Sequence, residues 1–107
     1  MNAERILIAY ESIGDAKIFI DKAVAYANDR VVFGQPNGKN QGIQVPIARA
    51  WAETQAAELM VHKAAALFEQ GLDCGAEANT AKMLASEAAW KAAEACMQTH
   101  GGFAFAK

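Results

Sequence analysis

The stretch ILIAYESIGDAKIFIDKAVAYA, residues 6–27, sets apolar side chains at Ile6, Ala9, Ile13, Ala16, Ile20, Ala23 and Ala27. The spacing alternates between three and four, which marks one face of an α-helix with a seven-residue repeat. Gly14 interrupts the segment at a cost of about 1 kcal/mol relative to alanine, tolerable where another backbone passes close by. Arg30 stands where a last-turn cation complements the helix dipole. Gly34, Pro36 and Gly38 then argue against continued helix.

Two further helices follow the same logic. One runs from about Asn40, a plausible N-cap, to Gln70. Ile47, Ala50, Ala57, Val61, Ala64 and Phe68 mark one face of it; Ala48, Ala52, Leu59 and Ala66 mark an adjacent one. Pro46 lies deeper than the first turn, which predicts a kink or a later start of regular helix. Gly71 suits the position just past the end. The other helix runs from about Ala76 to Thr99. Ala81, Leu84, Ala85, Ala88, Ala92 and Ala95 line one side; Met83, Trp90 and Met97 line another. A helix apolar on most sides is usually buried on most sides. His100-Gly101-Gly102 is expected to end it.

No strand pair, repeat or low-complexity tract appears. Short connections between long helices predict an all-α, up-down bundle of three antiparallel neighbours. Three helices this apolar leave an open side, to be covered by a fourth helix or by a second copy.

The totals narrow the class. At 107 residues the chain is one domain at most. With 53% hydrophobic and 21% charged residues it holds enough apolar material for a core and too little charge for disorder. Much of that share is alanine, which buries little area per residue, so the helices must approach closely. A net charge of −2 without a basic stripe argues against nucleic acid. Cys74 and Cys96 form no Cys-x-x-Cys pair, no His pair stands at zinc spacing, and both thiols read as reduced and intracellular. No window approaches the roughly 18 apolar residues of a membrane span. The start has no signal-peptide layout, so a cytoplasmic or matrix-like location is expected.

Three short patterns can carry chemistry. Arg30-x-x-Phe33-Gly34 reads either as a helix end or as a clasp, the guanidinium holding a phosphate and the phenyl facing a ring. Gln98-x-x-Gly101-Gly102 reads either as a helix stop or as bare backbone open to an anionic ligand. Glu4-Arg5 reads either as first-turn dipole compensation or as a catalytic carboxylate beside its positioning cation. His62 reads as a surface or interface residue, and His100 as a helix-end residue or a contact to a bound group. Trp51 and Trp90 read as core or interface anchors. Asp15, Lys17, Asp21 and Lys22 read as a solvated face with local pairs.

In order, AERILIA…GDA…IDKAVAYANDRVVFG…NQGIQ…IA…CMQTHGGFAFA resembles the C-terminal helical domain of the acyl-CoA dehydrogenases over essentially residues 1–107. The resemblance implies a partial four-helix bundle of a flavoenzyme that oxidises an acyl-CoA thioester to the trans-2-enoyl-CoA. It implies FAD as cofactor, an electron-transfer partner, a place in fatty-acid metabolism and a homo-oligomer in which neighbours share cofactor sites. By position, Arg30 matches the arginine that reaches the FAD pyrophosphate of a neighbouring subunit, and Phe33 an aromatic beside it. Asn40 stands where relatives place a polar residue near the adenosine half. Gln98, Gly101 and Gly102 match the helix-end group on the same cofactor.

Many members carry the catalytic glutamate in a loop before the last helix, past where Lys107 stands. Another subset carries it on the bundle's first helix, directly before an arginine, as in Glu4-Arg5. Two locations for the base therefore remain; in the second, Glu4 takes the α-proton and Arg5 sits by the acyl pocket. The family's other domains and its fourth helix have no counterpart here, so the chain reads as a piece of a larger enzyme, inactive and weak in FAD binding alone. The alternative is a non-catalytic helical oligomerisation or interaction module.

Overall fold

A computed structural model describes the backbone of residues 1–32 and 37–105 and the side chains of residues 1–28 and 45–101. Three helices follow one another: α1 (Asn2–Val32), α2 (Asn37–Glu69) and α3 (Gly75–Phe105). They pack side by side into a rod of 54 × 17 × 16 Å. The chain runs up, down and up, so α1 and α3 are parallel and share the most extensive seam.

The α1 face is the one its spacing predicts. Ile6, Ala9, Ile13, Ala16, Ile20 and Ala23 are buried, with Ala27 half-buried. They meet two clusters along the rod. Ile6, Ala9 and Ile13 pack with Ala57, Val61 and Ala64 of α2 and with Ala78, Ala81, Ala85 and Ala88 of α3. Ala16, Ile20 and Ala23 pack with Ile47, Ala50, Ala92, Ala95 and Cys96. Thr54 completes the α2 stripe, a buried hydroxyl that the apolar pattern passes over. It donates to the Ala50 carbonyl at 2.8 Å, and buried Thr99 donates likewise to the Ala95 carbonyl at 2.7 Å. Each polar group is thereby satisfied within its own helix.

The turn between α2 and α3 is fixed by backbone chemistry. Gly71 has φ +72°, and its N–H donates to the Phe68 carbonyl at 3.0 Å. The Leu72 N–H donates to the Leu67 carbonyl at 3.0 Å, which completes a Schellman motif. Asp73 Oδ1 accepts from the Gly75 N–H at 3.2 Å, and the Cys74 carbonyl accepts from the Ala78 N–H at 2.8 Å to open α3. Cys74 and Cys96 are both buried free thiols.

Several expectations are corrected. Asn40 is not an N-cap, because α2 begins at Asn37. Pro46 sits inside α2 with helix on both sides, so regular helix does not start later; its missing N–H removes the bond to the carbonyl of residue 42. His100-Gly101-Gly102 does not end α3, which continues to Phe105. A helical glycine costs only about 1 kcal/mol, and buried Cys96 and Thr99 hold this end against the bundle. Gly14 meets nothing within 4 Å of where a Cβ would stand, so no backbone passes close there.

The large residues lie outside. Trp51, Trp90 and Phe68 are 54%, 70% and 48% exposed, so neither tryptophan is a core residue. Lys17 does not pair locally; it crosses to Glu58 of α2 at 2.7 Å. Lys91 and Glu53 tie α3 to α2 at 3.0 Å. Both pairs are part-exposed and contribute at most about 1 kcal/mol each.

Two substitutions test this packing. Ala85→Leu, at a position with no exposed surface on α3, should cost about 1–3 kcal/mol of stability through overpacking, read by urea unfolding. Gly71→Ala should cost about 1 kcal/mol, because alanine disfavours positive φ, read as a fall in Tm.

Candidate functional site

Candidate residues collect at the two ends of the rod. At one end the first turn of α1 carries Glu4 and Arg5. Glu4 is exposed on the face turned away from the core, with Leu7 and Ile8 three and four residues on. Those two are 60% and 41% exposed, so the carboxylate stands beside uncovered apolar surface. Arg5 points another way and is half-buried. Its Nη1 donates to Asn2 Oδ1 at 3.5 Å, and Asn2 Nδ2 donates to Cys74 Sγ at 3.5 Å. This chain of contacts fastens the start of α1 to the α2–α3 turn. Among the described residues Glu4 and Arg5 form no ion pair with each other. A groove of about 280 Å³, lined by Ile6, Leu7, Tyr10, Ala65 and Phe68, runs beside them between α1 and α2.

At the other end, the topology gathers the C-termini of α1 and α3 with the N-terminus of α2. Positions 30, 40, 98, 101 and 102 therefore share one end of the bundle. Phe33 lies outside the described residues, as do the side chains of Arg30 and Asn40 and the surroundings of Gly102. Gln98 is exposed and lines a groove of about 170 Å³ with Pro46, Arg49, Glu53, Lys91 and Glu94, on the α2 side of α3. Gly101 is part of the helix, and nothing lies within 4 Å of where a Cβ would stand. Its backbone is open on that side, although its N–H belongs to the helical ladder.

The two ends are far apart. At about 1.5 Å per residue, positions 4 and 30 of α1 are about 39 Å from each other. That exceeds the length of an extended dinucleotide. The residues at one end therefore cannot meet the same ligand as those at the other end of the same chain.

Two contacts escape a linear reading because they join distant residues. Tyr26 of α1 lies against His100 of α3, ring centroids 4.1 Å apart and planes 31° from parallel. Tyr10 Oη and His62 Nδ1 are hydrogen-bonded at 2.9 Å, and His62 Nε2 stands 3.9 Å from the Glu58 oxygen that Lys17 holds. His62, expected at a surface or interface, thus staples α1 to α2. Among the described residues no group of His, Cys, Asp and Glu is arranged to hold a metal ion, and no helix is long and apolar enough to cross a membrane.

Comparison with known proteins agrees with this architecture. The family model described as acyl-CoA dehydrogenase, C-terminal domain, matches residues 1–107. An acyl-CoA dehydrogenase of Bacillus subtilis is 43% identical over 107 residues, covering 100% of this chain and 28% of its own length. Acyl-CoA dehydrogenase FadE12 of Mycobacterium tuberculosis is 38% identical over 104 residues, 95% of this chain and 27% of its own. The caffeyl-CoA reductase-Etf complex subunit CarC of Acetobacterium woodii is 34% identical over 107 residues, again 100% and 28%. The chain thus spans little more than a quarter of the relatives it matches. A family match over every residue, on a helical bundle of the expected kind, shows that the chain belongs to the acyl-CoA dehydrogenase family.

Proposed function

We propose that this chain supplies the C-terminal bundle of a flavin-dependent acyl-CoA dehydrogenase, which oxidises an acyl-CoA thioester to the trans-2-enoyl-CoA. The observation that carries this reading is the separation of about 39 Å between Glu4 and position 30 on one helix. A base and a cofactor clasp so placed serve two different active sites, as in an oligomer whose neighbours exchange cofactor contacts. The family membership gives the reaction class, and the name of the CarC relative, an Etf-complex subunit, favours an electron-transferring partner.

In this reading Glu4 removes the α-proton of the thioester. Its carboxylate faces outward among Leu7 and Ile8, so a covering domain and the acyl chain would exclude water from it. Desolvation strengthens a carboxylate as a base. Arg5, tethered through Asn2, fixes the first turn that carries Glu4. At the far end, Arg30 holds the pyrophosphate of a neighbour's FAD and Phe33 covers a ring. Asn40 and Gln98 supply polar contacts to the adenosine half. Gly101 and Gly102 carry no side chain that would keep the cofactor off the backbone. The chemistry of this residue set, a guanidinium, amides and uncovered backbone, suits an anionic dinucleotide. FAD, when bound, accepts the β-hydride.

A non-catalytic association module is the second reading, favoured by the uncovered Trp90, Leu59 and Met97. The two part company at Glu4. In the whole enzyme that contains this chain, Glu4→Gln should lower kcat by about a hundred- to ten-thousand-fold while flavin absorbance is retained. Unchanged turnover would move the base elsewhere. The 107-residue chain by itself should bind FAD weakly or not at all, since it offers one wall of the site; tight stoichiometric binding in equilibrium dialysis would contradict this division of labour.

A further inference from the structure

Four polar side chains form one connected chain across the α1–α2 seam, the least extensive of the three. Tyr10 Oη lies 2.9 Å from His62 Nδ1, and the two ring centroids are 5.6 Å apart. The other ring nitrogen, Nε2, faces Glu58 Oε2 at 3.9 Å, the oxygen that accepts from Lys17 Nζ at 2.7 Å. Among the described residues the groups that face His62 are thus Tyr10 from α1 and Glu58 from α2, with Lys17 of α1 behind Glu58. Lys63 is turned about 100° away around α2, and Glu69 lies two turns further along it. Glu53 meets Lys91 on the flank of α2 that packs on α3.

This arrangement decides which way the Tyr10 bond runs. A neutral imidazole carries one hydrogen, on Nδ1 or on Nε2. With the hydrogen on Nδ1, the lone pair of Nε2 would face the Glu58 carboxylate. With it on Nε2, an N–H faces that carboxylate and Nδ1 is free to accept. Glu58, held by Lys17, therefore selects the Nε2–H form, and the Tyr10 hydroxyl donates to Nδ1. A protonated ring carries hydrogens on both nitrogens, so Nδ1 then donates and Tyr10 Oη accepts. The hydroxyl hydrogen turns outward, and the contact persists with its direction reversed.

We propose that Tyr10 and His62 form a reversible tie: when His62 takes up a proton, α1 and α2 stay joined while the Tyr10 hydroxyl changes from donating to His62 to donating outward. Tyr10 lines the groove of about 280 Å³ with Leu7, Phe68 and Glu69. With His62 neutral, the polar edge formed by Tyr10 and Glu69 offers acceptors, the phenol oxygen and the carboxylate. With His62 charged, it gains a donor. The seam keeps its spacing while the chemistry of its rim responds to pH. The inference is independent of the cofactor contacts and of the role of Glu4.

Nitrogen-15 histidine and carbon-13 tyrosine labels in the 107-residue chain test it, with His100→Gln identifying the signals of His62. Spectra are compared at about pH 8 and about pH 5, on either side of the range in which an ordinary histidine titrates. At pH 8 the ring should be in the Nε2–H form. Tyr10→Phe should then shift the Nδ1 resonance without changing the tautomer. Glu58→Gln should lower the excess of the Nε2–H form about two- to fivefold. Both substitutions keep side-chain size at part-exposed positions, so the bundle is retained. At pH 5 cross-relaxation between the Tyr10 and His62 rings should persist, and the Tyr10 Cζ resonance should have moved, a change lost in His62→Gln. An Nδ1–H ring at pH 8, a tautomer ratio indifferent to Glu58→Gln, or loss of the ring contact at pH 5 would each overturn the proposal.

Discussion

Alanine-to-alanine approach of three long helices is the constraint on which the rest depends. Ala9, Ala16 and Ala23 of α1 face Ala78, Ala81, Ala85, Ala88, Ala92 and Ala95 of α3 along the bundle, all buried. Small side chains dominate this interior, and among the described residues no buried apolar side chain is larger than Ile6, Ile13, Ile20 and Ile47. The bulkiest side chains with essentially no exposure are Val61, Thr54, Thr99 and Cys74. No leucine, phenylalanine, methionine or tryptophan reaches that state among the described residues. The big apolar residues are displaced outward to Trp51, Leu59, Met83, Trp90 and Met97. Since burial stabilises in proportion to apolar area, this seam supplies little per residue, and the outer surface holds the larger reserve.

The same geometry organises the chemistry. Long helices keep Glu4 and positions 30, 40, 98, 101 and 102 at opposite ends of a narrow rod. In the function proposed above, each end takes what it lacks from outside the chain: a cover over the apolar skirt of Glu4 at one end, a dinucleotide at the other. The lateral ties, Tyr10–His62 and Lys17–Glu58 between α1 and α2 and Lys91–Glu53 between α2 and α3, help align the helices side by side, while α1 itself sets the spacing of positions 4 and 30.

Much of this was legible in the sequence, for identifiable reasons. The α1 face could be read residue by residue because its isoleucines and alanines repeat every seven positions. Thr54 could not, since a hydroxyl in an apolar stripe looks like a break until its bond to the Ala50 carbonyl is seen. The continuation of α3 through Gly101 was hidden because local propensity is worth about 1 kcal/mol and tertiary packing outweighs it. For Trp51 and Trp90 the sequence left core and interface both open, and the structure excludes the core. Their size suggests an interior, but the buried positions of this bundle are taken mainly by alanine with a few isoleucines and Val61, and both tryptophans lie outside. At the candidate site, the opposite flanks taken by residues 98 and 100 follow from helical spacing alone. The contact of Tyr26 with His100 required knowing that α1 and α3 run parallel.

Sedimentation equilibrium of the 107-residue chain at micromolar concentration probes the central claim most directly, because the outward side chains either need a cover or do not. A mass of at least two chains, falling toward one on dilution, is the predicted result. A compact single chain that unfolds cooperatively across the whole concentration range would contradict it.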